Sequence, residues 1–332
     1  MAGYNTIRGL RVKYLSADPA NAENGQVWYN STTGNLRVQG IGQAAAWASA
    51  AGPTRNNNAM SSGGTPTAAI LSGENGANPP NSAEAEEWNG SGWTNLTNIP
   101  ASYGYNVGTG LVNDFSSMGG GYGPTPKVAN VYDWNGSGWT SGTAMPTAVI
   151  EMGVCGPGQQ ALVAGGYTST NIATSYERSG GSWTSNPSMN VARYVPQLIG
   201  SNKDSALAAG GVIYPSGPPS LTNTVEAWNG TAWTTKTVMP SVRAYAGSAG
   251  SSATDAFLFG GDTTGSPATT GTSIKWDGSS WSTDATMAVA KGTLGGFGSS
   301  PAAFCAAGNN ASPGNSELYS GASVVTKNVS TS

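Results

Sequence analysis

The chain has no histidine, two cysteines and few charges. Without histidine, the commonest general base, the commonest transition-metal ligand and the usual switch near neutral pH are all missing. Cys155 and Cys305 are too few for a metal-spaced cysteine cluster, and no residues form a GxxxxGK[ST] phosphate loop. Charged residues make up 9% of the chain, against roughly 25% in an ordinary soluble domain. The net charge of −3 leaves no electrostatic footprint for nucleic acid. No apolar run approaches the ~18 residues of a membrane-spanning helix, and no membrane insertion is expected. The opening MAGYNTIRGLRVKYL also lacks the unbroken apolar core of a signal peptide.

Low charge raises the question of disorder, but disordered chains combine high net charge with few aromatics. Here there are 11 Trp and 13 Tyr. The polar surface must come from Ser, Thr, Asn and Gly, and 49 glycines suit a turn-rich β-protein. Those aromatics are not scattered. Trp47, Trp93, Trp139, Trp183, Trp233 and Trp281 stand 46, 46, 44, 50 and 48 residues apart. Around them the chain repeats itself as EEWNGSGWT, YDWNGSGWT, YERSGGSWT, EAWNGTAWT and IKWDGSSWS, with a degenerate last copy ELYSGASVV. A period in the high forties marks a repeat architecture.

Each repeat carries a second mark, a short apolar run closed by a small-residue pair. These are AAILSG to Gly73, FSSMGG to Gly120, ALVAGG to Gly166, ALAAGG to Gly211, AFLFGG to Gly261 and AFCAAG to Gly308. Variable loops follow, then an aromatic strand, a tight turn and the GWT strand. Asn89-Gly90, Asn135-Gly136, Asn229-Gly230 and Asp277-Gly278 occupy that turn, and such pairs predict a type I′ hairpin with φ > 0 at both residues. The segment before each apolar run is built of small residues, as a crowded inner strand requires. A Met-Pro or Ile-Pro step after the GWT strand suits an outer edge strand that leaves for the next unit. Four short antiparallel strands fill each repeat, and radial repetition protects their edges. Cys155 and Cys305 fall in the third and sixth repeats, too far apart for a disulfide, and read as buried apolar thiols.

The diglycine after an apolar strand, the aromatic about a dozen residues later and the Trp after a short turn resemble the kelch repeat of the kelch and galactose-oxidase propellers. That resemblance implies an all-β, six-bladed kelch-like β-propeller over residues 47–332. Its approximate repeats are 47–92, 93–138, 139–182, 183–232, 233–280 and 281–326. Counting Trp47 and Val324, seven positions align with the outer-strand Trp against six small-residue pairs. The segment near Trp47 and the C-terminal strand are therefore predicted to meet in one blade and close the ring, with the outer edge left open between them.

Residues 1–46 differ. GQVWYNSTTGNLRVQG reads as two alternating strands joined by a Ser-Thr-Thr-Gly turn, a short hairpin preceded by an extended basic stretch. The block RGLRVKYLSADP…GQVWYNSTTGNLRV resembles the N-terminal modules of phage tail-fibre and other virion proteins. The resemblance implies an attachment or assembly module, with Arg8, Arg11, Val27, Trp28, Tyr29, Leu36 and Val38 as its candidate contacts.

Galactose oxidase and its relatives use histidine and tyrosine copper ligands, so their site has no counterpart in a chain without histidine. WNGSGWT resembles the Asp-box turn of sialidases only superficially, since Asp277 alone supplies an aspartate. No catalytic triad is apparent, no catalytic residue is assigned, and no metal or cofactor is implied. Glu84, Glu86 and Glu87 read as solvated surface. Arg55, Arg193 and Arg243 share one slot, 18 residues before the second residue of the small pair; Ser102, Ala148 and Ala290 fill it elsewhere. In kelch-like propellers this entry to the inner strand looks toward the channel mouth, and Tyr103, Tyr194 and Tyr245 lie close by. Aromatic and Arg residues together are typical of binding hot spots; the alternative is that the arginines satisfy loop carbonyls. The repeated tryptophans read as packing between blades, although exposed rings would stack on sugars.

These observations predict a non-enzymatic phage virion or appendage structural protein, tail-fibre-like, in a virion or extracellular assembly. Its propeller would present loops to a host-surface glycan or to neighbouring subunits. The expected partners are other copies of the chain and other virion proteins. A self-assembling fibre or tube subunit is the alternative, and a carbohydrate-active enzyme a more distant one.

Overall fold

The computed structural model describes residues 12–20, 22, 25–54, 61–74, 82–102, 104–121, 126–214, 220–263, 269–308 and 316–329. They form an all-β protein, with one 3-10 turn at Gly158–Gln160. Two compact units divide the chain: residues 1–45 with 321–332, and residues 46–320.

Among the described residues, the larger unit contains six four-stranded antiparallel sheets. The first comprises Ser62–Thr65, Ala68–Glu74, Ser82–Trp88 and Trp93–Asn95. The second comprises Val107–Leu111, Asp114–Met118, Val131–Trp134 and Trp139–Ser141. Gly153–Cys155, Leu162–Ala164, Ser175–Ser179 and Ser182–Asn186 make the third. The fourth is Gln197–Asn202, Ser205–Ala209, Val225–Trp228 and Trp233–Thr235. In the fifth are Gly247–Ser252, Asp255–Phe259, Ser273–Trp276 and Trp281–Asp284. Gly295–Ser299, Ala302–Ala306, Ser316–Ser320 and Ala46–Ala50 complete the sixth.

The first strand of each sheet lies against the first strand of the next, and that of the sixth returns to the first. This closed circuit is β-propeller-like. It also explains the small residues of those strands. A Cβ on Gly63 would stand 2.7 Å from the Gly110 carbonyl oxygen, and one on Gly296 would stand 2.3 Å from the Ser248 nitrogen.

Apolar cores lie between successive sheets. Ile199, Leu207 and Ala209 of the fourth pack with Ala256, Leu258, Ile274 and Trp276 of the fifth. Leu71 and Trp88 of the first pack with Phe297, Phe304 and Ala306 of the sixth, so burial joins the last sheet to the first. Cys155 and Cys305 are buried and free, and burial pushes both thiols up to about 12.

The repeated tryptophans tie each sheet to the one before it. Trp139 Nε1 donates to the Thr97 carbonyl at 2.8 Å, Trp183 to Thr143 at 2.9 Å and Trp281 to Thr237 at 3.1 Å. Trp93 reaches Ala51 at 3.0 Å, just past the strand that completes the sixth sheet. Within a sheet the same ring faces the preceding aromatic, as in Trp88–Trp93, Trp134–Trp139, Trp228–Trp233 and Trp276–Trp281. In the third sheet Arg178 takes that aromatic place, 6.0 Å from the Trp183 ring, and its guanidinium pairs with Asp133 of the second sheet.

Two sequence expectations are corrected by the strand pairing. Trp47 lies on the outer strand of the sixth sheet, paired with Tyr319, but the strand carrying Val324 does not join it. Ser323–Asn328 pairs instead with Asn35–Gln43 in the smaller unit, so the tail belongs with the N-terminal residues. The hairpin turn is also different. Gly90, Gly136, Gly230 and Gly278 have φ of 90–95°, whereas the preceding Asn or Asp is not in the positive region. One glycine with positive φ at the first central position matches type II′ rather than I′. The Asn side chain completes the turn from outside it: Asn89 Oδ1 accepts from Ser91 N–H, Ser91 Oγ and Gly92 N–H at 2.9–3.0 Å.

The smaller unit has one four-stranded sheet. Val27–Asn30 and Asn35–Gln43 form the expected antiparallel hairpin, flanked by a parallel strand Lys13–Leu15 and by Ser323–Asn328. Asp18 organises it. Its carboxylate accepts from Asn30 Nδ2 and Trp28 Nε1, both at 2.9 Å, and pairs with Arg37. Those bonds, Asn30 first and Trp28 second, hold it below the usual carboxylate range.

Candidate functional site

The arginine slot turns out to be a fastening point. Arg193 is 0% exposed and pairs with Glu226 at 2.6 Å, with Nη2 also donating to the Ala208 carbonyl. Arg243 is 1% exposed and donates to the carbonyls of Gly260 and Thr272 and to Thr272 Oγ1. Neither guanidinium faces a mouth, which corrects the ligand-facing expectation for both. Arg55 and Tyr103 lie outside the described residues, as do Arg8 and Arg11.

The slot itself is out of step in the last repeat. Lys291, one residue after Ala290, is 0% exposed and pairs with Glu317 as Arg193 does with Glu226. Glu226 and Glu317 also pin the backbone that enters the sheet. Asn190 N–H donates to Glu226 and Ala288 N–H to Glu317, at 2.6 and 2.7 Å. Glu86 holds Thr54 N–H in the same way, at 3.1 Å. It is buried, which corrects its reading as surface; Glu84 is exposed and Glu87 half-buried. The signal was in the sequence, a Glu two residues before the aromatic in AEEW, VEAW and SELY.

Two or three residues beyond the slot the backbone turns into the left-handed region at equivalent places. Tyr105, Glu151, Val195, Tyr245 and Thr293 have φ of 57°, 54°, 52°, 54° and 49°, each two residues before the first strand of its sheet. Main-chain bonds link these positions from sheet to sheet: Glu151 N–H to Tyr105 O, Val195 N–H to Glu151 O and Thr293 N–H to Tyr245 O. Left-handed non-glycine residues cost roughly 1–3 kcal/mol each and cluster at functional sites. Here they form a belt at one end of the first strands.

Inside the belt runs a cavity of about 550 Å³ lined by the first strands of all six sheets. Glycine backbone and small side chains make most of its wall, and among the described residues none that lines it is charged. Tyr245, Val195 and Thr293 of the belt border it, as does Met152, the neighbour of Glu151.

Glu151 is the one charged residue in the apolar stretch MPTAVIEMGV and is 7% exposed. Tyr245 O–H donates to its Oε1 at 3.4 Å. Burial first, against that weak opposing hydrogen bond, lifts the carboxyl to about 7. Tyr194 and Tyr245 titrate well above the ordinary phenol, by burial first and then by the nearby Glu151 charge. An aromatic chain continues toward solvent. Tyr167 stands 5.7 Å from Tyr194 and 6.3 Å from Tyr214, which is 51% exposed, and Lys127 Nζ lies 5.2 Å from the Tyr167 ring centroid.

Tyr194 and Tyr245 are thus brought together with Glu151, whereas the sequence reading places them beside the arginines. The set offers phenol hydroxyls, ring faces and one carboxyl of variable charge. It suits hydrogen bonding and stacking on a polar ligand. Among the described residues no group of three or more Cys, Asp or Glu is placed to hold a metal ion.

The predicted assembly residues have a different setting. Trp28 is fully buried, its indole tied to Asp18, which corrects its reading as a contact residue. Val27, Tyr29, Leu36 and Val38 are half-buried in the hairpin, and the Tyr29 ring meets that of exposed Tyr14 at 4.7 Å.

No protein-family model matches the chain, and no curated protein matches it.

Proposed function

We propose that the chain is a non-enzymatic structural and binding component of a phage virion or appendage, tail-fibre-like, that contacts a host-surface glycan. In this reading the larger unit is a six-bladed kelch-like β-propeller and the smaller an attachment module. Six sheets with a closed circuit of first strands support the propeller, together with the phased small-residue pairs and tryptophans. The N-terminal resemblance supports the virion context. The observation that carries the binding role is the convergence of Tyr194, Tyr245 and Glu151 beside the axial cavity, with Tyr167 and Tyr214 leading outward. Aromatic faces with adjacent hydrogen-bonding groups are well suited to pyranose rings. A glycan array probed with wild type and Tyr194→Ala tests it. Binding to a host-surface sugar that the variant loses supports the reading, and no binding to any sugar refutes it.

Self-association is favoured by a separate observation. Val12, Tyr14 and Val329 of the smaller unit are exposed at 43%, 76% and 41%. The three-residue strand Lys13–Leu15 is paired on one side only among the described residues, and such an edge suits strand addition. Ordered polymers seen by electron microscopy without any ligand would support a fibre or tube subunit.

A further inference from the structure

Glu151 is a buried carboxyl with no cationic partner among the described residues. Among the described residues, three of the other buried carboxylates of the larger unit pair with cations, Asp133 with Arg178, Glu226 with Arg193 and Glu317 with Lys291, while Glu86 Oε1 accepts from Thr54 N–H. The side-chain hydrogen bond of Glu151 among the described residues is the long one from Tyr245. Ionised and buried, such a group needs a counter-charge or strong donors, which Asp133, Glu226 and Glu317 have in Arg178, Arg193 and Lys291. What surrounds Glu151 is phenol, from Tyr245 in contact and Tyr194 close by. Its left-handed backbone is held by main-chain bonds on both sides, to Tyr105 and from Val195.

The neighbouring cavity is complementary to this arrangement. About 550 Å³ of space, walled among the described residues by uncharged ones, is bordered by Tyr245. Tyr245 both lines the cavity and hydrogen-bonds Glu151, so it links the space to the carboxyl. A ligand with an uncharged body and a cationic end matches both parts.

We propose that Glu151, with Tyr194 and Tyr245, receives the ammonium group of an organic cation whose body occupies the axial cavity. Tyrosine rings attract cations through their faces, and a desolvated site strengthens both that attraction and the ion pair with the carboxylate. This deepens the binding role given to the same end of the larger unit and rests on that reading.

Calorimetric titration of the full chain at about pH 8, where Glu151 is mostly ionised, tests it. The probes are choline, tetramethylammonium and the uncharged isostere of choline in which carbon replaces nitrogen. Both cations are expected to bind at least about ten-fold more tightly than the isostere. Glu151→Gln is expected to remove that preference while keeping the fold, and Tyr245→Phe to keep it in part, because the ring face remains. Equal binding of choline and its isostere by wild type would overturn the proposal, as would an undiminished preference in Glu151→Gln. Neutral sugars binding in a Tyr194-dependent way without any cation binding would also overturn it, yet leave the glycan reading intact. If neither class binds, both fall.

Discussion

The Tyr245 hydroxyl donates to Glu151 at 3.4 Å across 94 residues of sequence, joining the approaches to the fifth and third sheets. Those sheets are not neighbours in the circuit, because the fourth stands between them. The contact therefore passes beside the axial cavity, which Tyr245 lines. It marks a buried carboxyl that has no cationic partner among the described residues.

Glu151 makes stability depend on pH. Its folded-state value, about 7, lies above the ordinary 4.5, so the folded state binds the proton more tightly than the unfolded state. The stabilisation is present in full below about pH 4.5 and is lost as pH rises through 7, a change of up to about 3 kcal/mol. Urea unfolding of wild type and Glu151→Gln at about pH 5 and pH 8 checks this. The variant should lack this loss and be the more stable of the two relative to wild type at the higher pH.

Arg193→Ala should be severely destabilising, by about 3–5 kcal/mol, because it strands Glu226 as a buried charge. Denaturant titration measures it. Any loss of ligand binding in this variant should follow loss of folded protein, whereas Tyr194→Ala should lose binding with the fold retained.

Trp139→Phe should cost about 1 kcal/mol by removing the bond to the Thr97 carbonyl, and Trp139→Ala should cost more by opening the seam between the first and second sheets. Thermal melts of the two variants separate hydrogen bonding from packing. Equal losses would mean the ring contributes nothing beyond its N–H.

The fragment spanning residues 46–320 should fold, because it keeps the Ala46–Ala50 strand against Ser316–Ser320. A fragment starting at residue 51 should be much less stable, having lost Trp47 and its bond to the Ala285 carbonyl. Circular dichroism and limited proteolysis distinguish them.

Much of this was legible in the sequence because repetition amplifies weak signals. The phased Trp and small-residue pairs located the strands, and the small residues before each apolar run marked the crowded first strands. What escaped depends on details that repetition hides. Arg193 and Arg243 looked like binding residues because composition cannot show that Glu226 or a carbonyl set already holds the guanidinium. Lys291 was missed because its repeat is a residue shorter there than those of Arg193 and Arg243. The Val324 strand was assigned to the ring because its local pattern matched, while its partner, Asn35–Gln43, lies nearly 300 residues away. Glu151 had a faint mark, a lone charge in an apolar run, but nothing local tied it to Tyr245.

A crystal structure of the protein grown with its best glycan from the array tests the binding account most directly. Sugar density against Tyr194 and Tyr245, with Glu151 within hydrogen-bonding distance of the ligand, is the expected result. Sugar bound instead at the hairpin tryptophans, or on the smaller unit, would contradict it.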